Sequence, residues 1–426
     1  MINLKKILFE NISHKQTILK NTFWLGAAEF LSKGMYLLVF IWLANHFGPR
    51  VYGQWNFALS FVSFFAVFVE FGFKIFTIQE IARNKEKSSE LLNNILAIKA
   101  ILGFFVILFS YIISRFLTGD EDVLRLILLL SAYIVIDNLA VFVQAIFRAY
   151  EKMELEAFSR ILQSFLLFLL CAFFIFGGGS IVIISYAFIF SSFAGFMVSF
   201  LILNYLFPVF SAKISVRTWK SLFLKVWPFL FSGIFYMLYY ETSSIMLGLF
   251  STMENVGYFN AAYNLFIAVF VIPEIITMSF FPKLSFSYSE NKKDFKRQFD
   301  FFKKTMFVTG LLVTVFLFAA SGLVMKIYSD KYSESISILK VLSLIIIFKF
   351  LSHAYTWFLV SADEQKKNFK IQGVAALLNI MLSFIFIIKF GVMGAAYATV
   401  VTELFLLSAY FAFYRLKLYK INLALN

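Results

Sequence analysis

Cysteine and charge are what this chain has least of. The single cysteine, Cys171, lies within an apolar run, which excludes an intramolecular disulfide and a thiol cluster for a metal. Also missing are an HExxH pair, a nucleophile elbow and a Walker loop. The Gly177-Gly178-Gly179 run has no following Lys-Ser/Thr and marks a turn. No enzyme, no metal site and no cofactor are therefore expected. Only 15% of the 426 residues are charged while 61% are hydrophobic, and the mean hydropathy of +0.84 excludes a soluble globular domain. The formal charge of +14 sits in short connectors between apolar segments, which argues against nucleic acid and for the anionic face of a membrane.

What is present is a repeated membrane hairpin. From Thr22 to Glu80 the chain runs through an apolar segment carrying Glu29 and Lys33, a Gly-Pro turn with an aromatic hook (FGPRVYGQW), a second apolar segment and a charged exit. Two such segments joined by a short turn have no polar face to show water, so they are expected to cross a bilayer as a pair. The arm 1–21 is no signal peptide, because the apolar run behind it is too long and carries charges.

Twelve spans follow, near 22–46, 54–73, 91–117, 123–149, 155–176, 180–207, 226–250, 256–281, 304–328, 336–360, 370–389 and 393–414, each close to the roughly 20 residues that cross a hydrocarbon core. With the N-terminus inside, the cytoplasmic segments hold 28 of the 38 Lys and Arg residues and the outer ends seven. That bias places both termini in the cytoplasm, with multi-pass topology in a plasma membrane. The expected division is a cytoplasmic arm 1–21, a six-helix bundle 22–207, a cytoplasmic linker 208–225, a second six-helix bundle 226–414 and a tail 415–426. The connectors 74–90, 208–225 and 283–304, with Trp219, Phe295 and Phe299 among their charges, are expected to lie on the membrane surface. The outer loops, such as TGDED at 118–122 and SDKYSES at 329–335, are too short for an extracellular catalytic domain.

The halves repeat weakly. Gly53-Gln-Trp-Asn-Phe-Ala58 aligns with Gly257-Tyr-Phe-Asn-Ala-Ala262, and a second register aligns Phe158 with Phe369 and Tyr186 with Tyr397. Both offsets join spans six apart, which indicates parallel repeats.

Several runs together resemble one family. LANHFGPRVYGQWNFALS at 43–60, IQEIARNKE at 78–86, FRAYEKME at 147–154, the E-x₆-G-x₈-GYFNAAY pattern from Glu241, FPKLS at 281–285 and GVMGAAYATVVTE at 391–403 look like the oligosaccharide flippases of the multidrug/oligosaccharidyl-lipid/polysaccharide exporter superfamily. Glu241 departs from the pattern, since relatives more often carry Asp there. The resemblance implies an all-α membrane protein of two six-helix bundles around a central cavity. It implies a bacterial plasma-membrane flippase that moves an undecaprenyl-diphosphate-linked oligosaccharide to the outer leaflet, for O-antigen or capsule, by alternating access. Membrane lipids, H⁺ or Na⁺ as counter-ion and other polysaccharide-assembly membrane proteins are the partners it implies, and the runner-up is an ion-coupled multidrug or small-molecule antiporter.

Ionisable side chains within spans are costly in lipid and by default face a cavity or one another. Lys349, with His353 one turn later, is the deepest cation and the first candidate for a diphosphate. Lys33, Lys99 and Arg148 follow as cavity cations, the last on one stripe with Asp137 and Gln144. Glu29, Asp137, Glu241 and Glu403 are the candidates for ion coupling. Glu29 and Lys33, four apart, are also placed to neutralise each other.

Overall fold

The computed structural model describes residues 11–207 and 214–423, so parts of the expected arm, linker and tail lie outside the described residues. These residues form helices α1 (His14–Glu70), α2 (Phe73–Arg83), α3 (Ser88–Leu117), α4 (Glu121–Ala149), α5 (Met153–Phe176), α6 (Ile181–Leu206) and α7 (Val216–Phe250). They continue as α8 (Met253–Ala268), α9 (Val271–Glu290), α10 (Lys292–Met325), α11 (Glu334–Leu344), α12 (Ile346–Ser361), α13 (Gln365–Phe390) and α14 (Val392–Leu423).

Ten helical stretches are long and apolar enough to cross a membrane, or eleven with α11 and α12 taken as one bent span. The first of them, Leu19–Arg83, has 65 residues, about 100 Å if straight. It breaks at Gly48, whose φ of +75° favours glycine, followed by Pro49, which has no N–H to continue the helical ladder. The stretch thus supplies two membrane-length pieces, and the expected count of twelve rests on dividing it there. Phe104, Phe116, Phe173 and Phe316 stand exposed on helix faces, a surface suited to lipid. Phe57, Phe142, Phe147 and Phe259 are core instead, so phenylalanine is both coat and filling.

Helix starts follow the sequence closely. Asp120 accepts from the N–H groups of Asp122 and Val123 at 3.0 and 3.3 Å, and Asn291 accepts from those of Lys293 and Asp294 at 2.9 and 3.2 Å. Each cap satisfies donors that the first helical turn leaves free.

Packing divides the chain into two compact units. One comprises Met1–His46 with Ala58–Ile234, the other Phe47–Phe57 with Phe235–Asn426. The division thus falls inside α7 rather than at 208–225, and the tip of the first hairpin packs with the second unit. In the first unit Phe73, Ile95, Phe142 and Ile146 gather α2, α3 and α4 around one apolar core.

Within the second unit, the piece of α1 after Gly48 crosses the start of α8 at two glycines. A Cβ on Gly53 would overlap the Met253 carbonyl, and a Cβ on Gly257 would overlap the Pro49 carbonyl. Residues 53 and 257 are related by the repeat offset, and so are 49 and 253. The contact is therefore reciprocal, with each residue of one copy touching the counterpart of its own partner. Asn56 donates to the Tyr52 carbonyl at 2.7 Å and Asn260 to the Val256 carbonyl at 2.9 Å, the same bond in both copies.

One expectation is overturned here. Phe295 and Phe299 are buried in α10, and Phe299 packs on Phe358 and Tyr414 with ring centroids 4.8 and 5.2 Å away. Helical from Lys292 onward, α10 aligns 295, 299, 302 and 306 as one stripe facing the protein interior.

Candidate functional site

Each unit carries a cluster of charged side chains on its spans. In the first, α1, α4 and α5 contribute a ladder of alternating sign. Lys33 Nζ lies 2.8 Å from Glu29, one helical turn away on α1. Glu29 also binds Arg160 of α5 at 2.8 Å, Arg160 lies 3.8 Å from Glu156, and Arg148 of α4 donates to Glu156 through Nε at 2.7 Å. Within the ladder three cations thus share two carboxylates. The cations at the two ends are more exposed than the carboxylates they bind, Arg148 at 36% over Glu156 at 2% and Lys33 at 49% over Glu29 at 25%, while Arg160 and Glu29 are equally half-buried. Guanidinium groups so placed suit the paired oxygens of a phosphate.

The sequence stripe of Asp137, Gln144 and Arg148 does share one face of α4, and all three residues turn to α5. Asp137 accepts from Gln163 Nε2 at 2.7 Å and from Ser192 Oγ at 3.1 Å, while Gln144 donates to Gln163 Oε1 at 2.8 Å. Asp137 and Gln144 form a buried polar seam, and Arg148 alone joins the ladder.

Lys99 is placed differently from the expectation of a cavity cation. It is wholly buried and donates to the Val69 carbonyl at 2.9 Å, Glu70 at 3.0 Å and Asn138 at 3.0 Å. Because α1 ends at Phe71 and Gly72, both with positive φ, its last carbonyls lack intrahelical donors, and the ammonium caps one of them. An ammonium has three donors, and all three are engaged.

In the second unit, Lys349 is neutralised rather than free. Its Nζ lies 2.7 Å from Glu403 and 3.2 Å from the Tyr239 hydroxyl, which itself donates to Glu403. The rings of Tyr239, Tyr240 and Phe270 surround the ammonium, with centroids 4.8, 5.0 and 4.9 Å away. Lys349 sits in the first turn of α12, where the helix dipole disfavours a cation. Glu403 and the rings offset that cost. The break before α12 is itself repaired by Thr314, whose hydroxyl accepts from the Ile347 N–H at 3.1 Å.

Beside this pair lies a cavity of about 190 Å³ walled by Tyr236, Tyr240, His353, Glu403 and Tyr410 among others. His353 sits between two neighbours, its Nε2 3.1 Å from the Trp357 indole nitrogen and 3.0 Å from the hydroxyl of Thr277, which donates to the Pro273 carbonyl. Glu241, half-buried on α7, does not line this cavity.

Arg160 is absent from the candidates above because it stands near the start of the expected span 155–176, where a basic residue reads as an interfacial anchor. The i,i+4 pair of Glu156 and Arg160, one turn inside α5, is the signal that could have marked it.

A polysaccharide biosynthesis protein family model matches residues 18–288, more than half of the chain. The chain belongs to that family. A second model, MatE, matches residues 228–385. Capsular polysaccharide biosynthesis protein CapF of Staphylococcus aureus is 22% identical over 421 residues, covering 93% of this chain and 99% of the relative. A putative O-antigen transporter of Escherichia coli (strain K12) is 23% identical over 411 residues, covering 95% of this chain and 98% of the relative. In fold, the chain resembles the lipid II flippase MurJ in an inward closed conformation, with a TM-score of 0.74 and 16% identity over 91% of this chain and 86% of that one. This polysaccharide biosynthesis family member is accordingly a multi-pass, nearly all-helical membrane protein.

Proposed function

We propose that the protein is a flippase that carries an undecaprenyl-diphosphate-linked oligosaccharide from the cytoplasmic to the outer leaflet of the bacterial plasma membrane, for surface polysaccharide assembly. The observation that supports this most is the ladder in which Arg148, Arg160 and Lys33 alternate with Glu156 and Glu29, its end cations Arg148 and Lys33 more exposed than the carboxylates they bind. A diphosphate passing the ladder replaces a carboxylate at each exposed cation in turn, so no cation is left uncompensated as the charge moves. The names of the CapF and O-antigen relatives agree with such a cargo. Lys349 and Glu403 form the counterpart in the second unit, with Lys349 able to leave Glu403 for the diphosphate as H⁺ or Na⁺ takes its place. Both termini are cytoplasmic in this scheme, and the halves open to each side alternately.

The test is complementation. In a strain lacking its own flippase for the same glycan, Arg160→Gln is expected to reduce surface polysaccharide at least about tenfold at equal membrane abundance, one charge-assisted hydrogen bond being worth about that factor. Unchanged glycan in Arg160→Gln and in Arg148→Gln would refute the ladder's role.

The second reading, an ion-coupled antiporter for organic cations, is favoured by one feature, the tyrosine-walled cavity around Glu403. It predicts raised susceptibility to cationic drugs when Glu403 is neutralised, with surface glycan intact.

A further inference from the structure

One end of the first unit holds a hollow that the proposed transport path does not use. It measures about 380 Å³ and lies between α2, the start of α3 and the start of α7. Glu80, Glu90, Arg217 and Lys225 stand on its wall, with Asn94 and Phe76. Opposite charges lining one hollow usually close on each other. Here, among the described residues, Glu90, Arg217 and Lys225 make no ion pair, and the partner of Glu80 is Arg83 at 3.6 Å, which does not line the hollow.

The wall is nevertheless a built one. Asn94 is buried, and its Oδ1 accepts from the Ser215 N–H and the Trp219 indole, both at 2.9 Å. That clamp holds the first turns of α7 against α3. Lys225 rests 5.8 Å from the Phe76 ring. The 35 residues of α7 amount to about 52 Å of helix, well over the roughly 30 Å hydrocarbon core, so its first turns reach the level of the lipid heads.

We propose that this hollow binds the head of a phosphatidylethanolamine. Arg217 and Lys225 meet the phosphate, Glu80 and Glu90 meet the ammonium, and Phe76 and Leu222 flank the start of the acyl chains. An anionic phospholipid would satisfy the cations but sit against two carboxylates. A choline head carries no N–H to donate to them, which leaves acceptors unsatisfied. The carboxylates equally exclude a dianionic cargo, so the hollow is no entry point for the transport substrate. The site stands independently of the flippase proposal, because lipid binding is read without transport.

The experiment uses the full chain, purified in detergent, stripped of lipid and titrated with short-chain phosphatidylethanolamine, phosphatidylglycerol and phosphatidylcholine, with bound lipid counted by native mass spectrometry. Phosphatidylethanolamine should bind about tenfold more tightly than either of the others, the value of one charge-assisted hydrogen bond. Glu80→Gln with Glu90→Gln should erase the preference over phosphatidylglycerol. Arg217→Gln with Lys225→Gln should weaken binding of all three lipids. A lipid-free thermal unfolding midpoint equal to wild type certifies each variant as folded, and Glu90→Gln alone replaces any pair that fails. Equal affinity for the three lipids, or a preference that survives both double variants, would overturn the proposal. Equally tight binding of chain-free glycerophosphoethanolamine would assign the hollow to a soluble ligand and overturn it as well.

Discussion

Lys349→Met is the most searching perturbation that the structure offers. The change removes an ammonium that touches Glu403 at 2.7 Å and leaves a carboxylate side chain that is 1% exposed. Breaking a buried pair from one side costs about 3–5 kcal/mol, because the surviving charge has no compensation. For a unit of this size each kcal/mol moves the unfolding midpoint by about 2–4 °C, so a fall of about 10 °C is expected. Membrane abundance should drop with it. Glu403→Gln in the same chain replaces the orphaned charge with an amide that can still accept from Tyr239, and the double variant should regain most of the lost midpoint. The measurements are thermal unfolding of the purified protein, its abundance in membranes and surface glycan in a complemented strain. A double variant as unstable as Lys349→Met would refute the argument from uncompensated charge. A single variant of normal stability and abundance that makes no surface glycan would assign Lys349 to the diphosphate directly, as its depth in the sequence first suggested.

Other outcomes follow from the same physics. Lys99→Met should destabilise the fold by about 3–5 kcal/mol, since Glu70 and the Val69 carbonyl lose their donor, while the folded fraction transports normally; transport lost in protein of full stability would contradict the capping role. Gly257→Ala should lower membrane abundance, because the new Cβ has no room beside the Pro49 carbonyl, whereas Gly322→Ala, with open space around it, should not. In a Cys171→Ser background, cysteines at Ser251 or Ser333 should react with an impermeant thiol reagent from outside intact cells and one at Asn291 should not. The reverse pattern would invert the orientation.

Local and pairwise features were legible in the sequence because they depend on spacing alone. The Gly48-Pro49 break and the Glu29–Lys33 pair both follow from residues within a turn of one another. Features set by contacts between distant helices were not. Nothing in the spacing of Lys99 shows that α1 ends in a left-handed pair of residues whose freed carbonyl needs it. Nor does the spacing of His353 show that Thr277, on α9, meets its ring. Arg160 was hidden for a subtler reason. A basic residue shortly after a loop reads as an interfacial anchor unless its i,i+4 partner Glu156 is weighed, and the contact with Glu29 on α1 shows that it points inward.

The glycine crossing of α1 and α8 has a consequence for descent. A reciprocal contact between two copies of one motif is the contact that a homodimer makes about a twofold axis. In a half-length chain that paired in this way, one change to glycine would open both sides of the crossing at once. The two copies here differ around it, Val256 standing where the first has Tyr52. The glycines are held together by geometry alone, since enlarging either requires the other copy's backbone to yield. In living relatives the two positions should therefore stay small together, and a chain that has lost one glycine should show its compensating change in the opposite repeat.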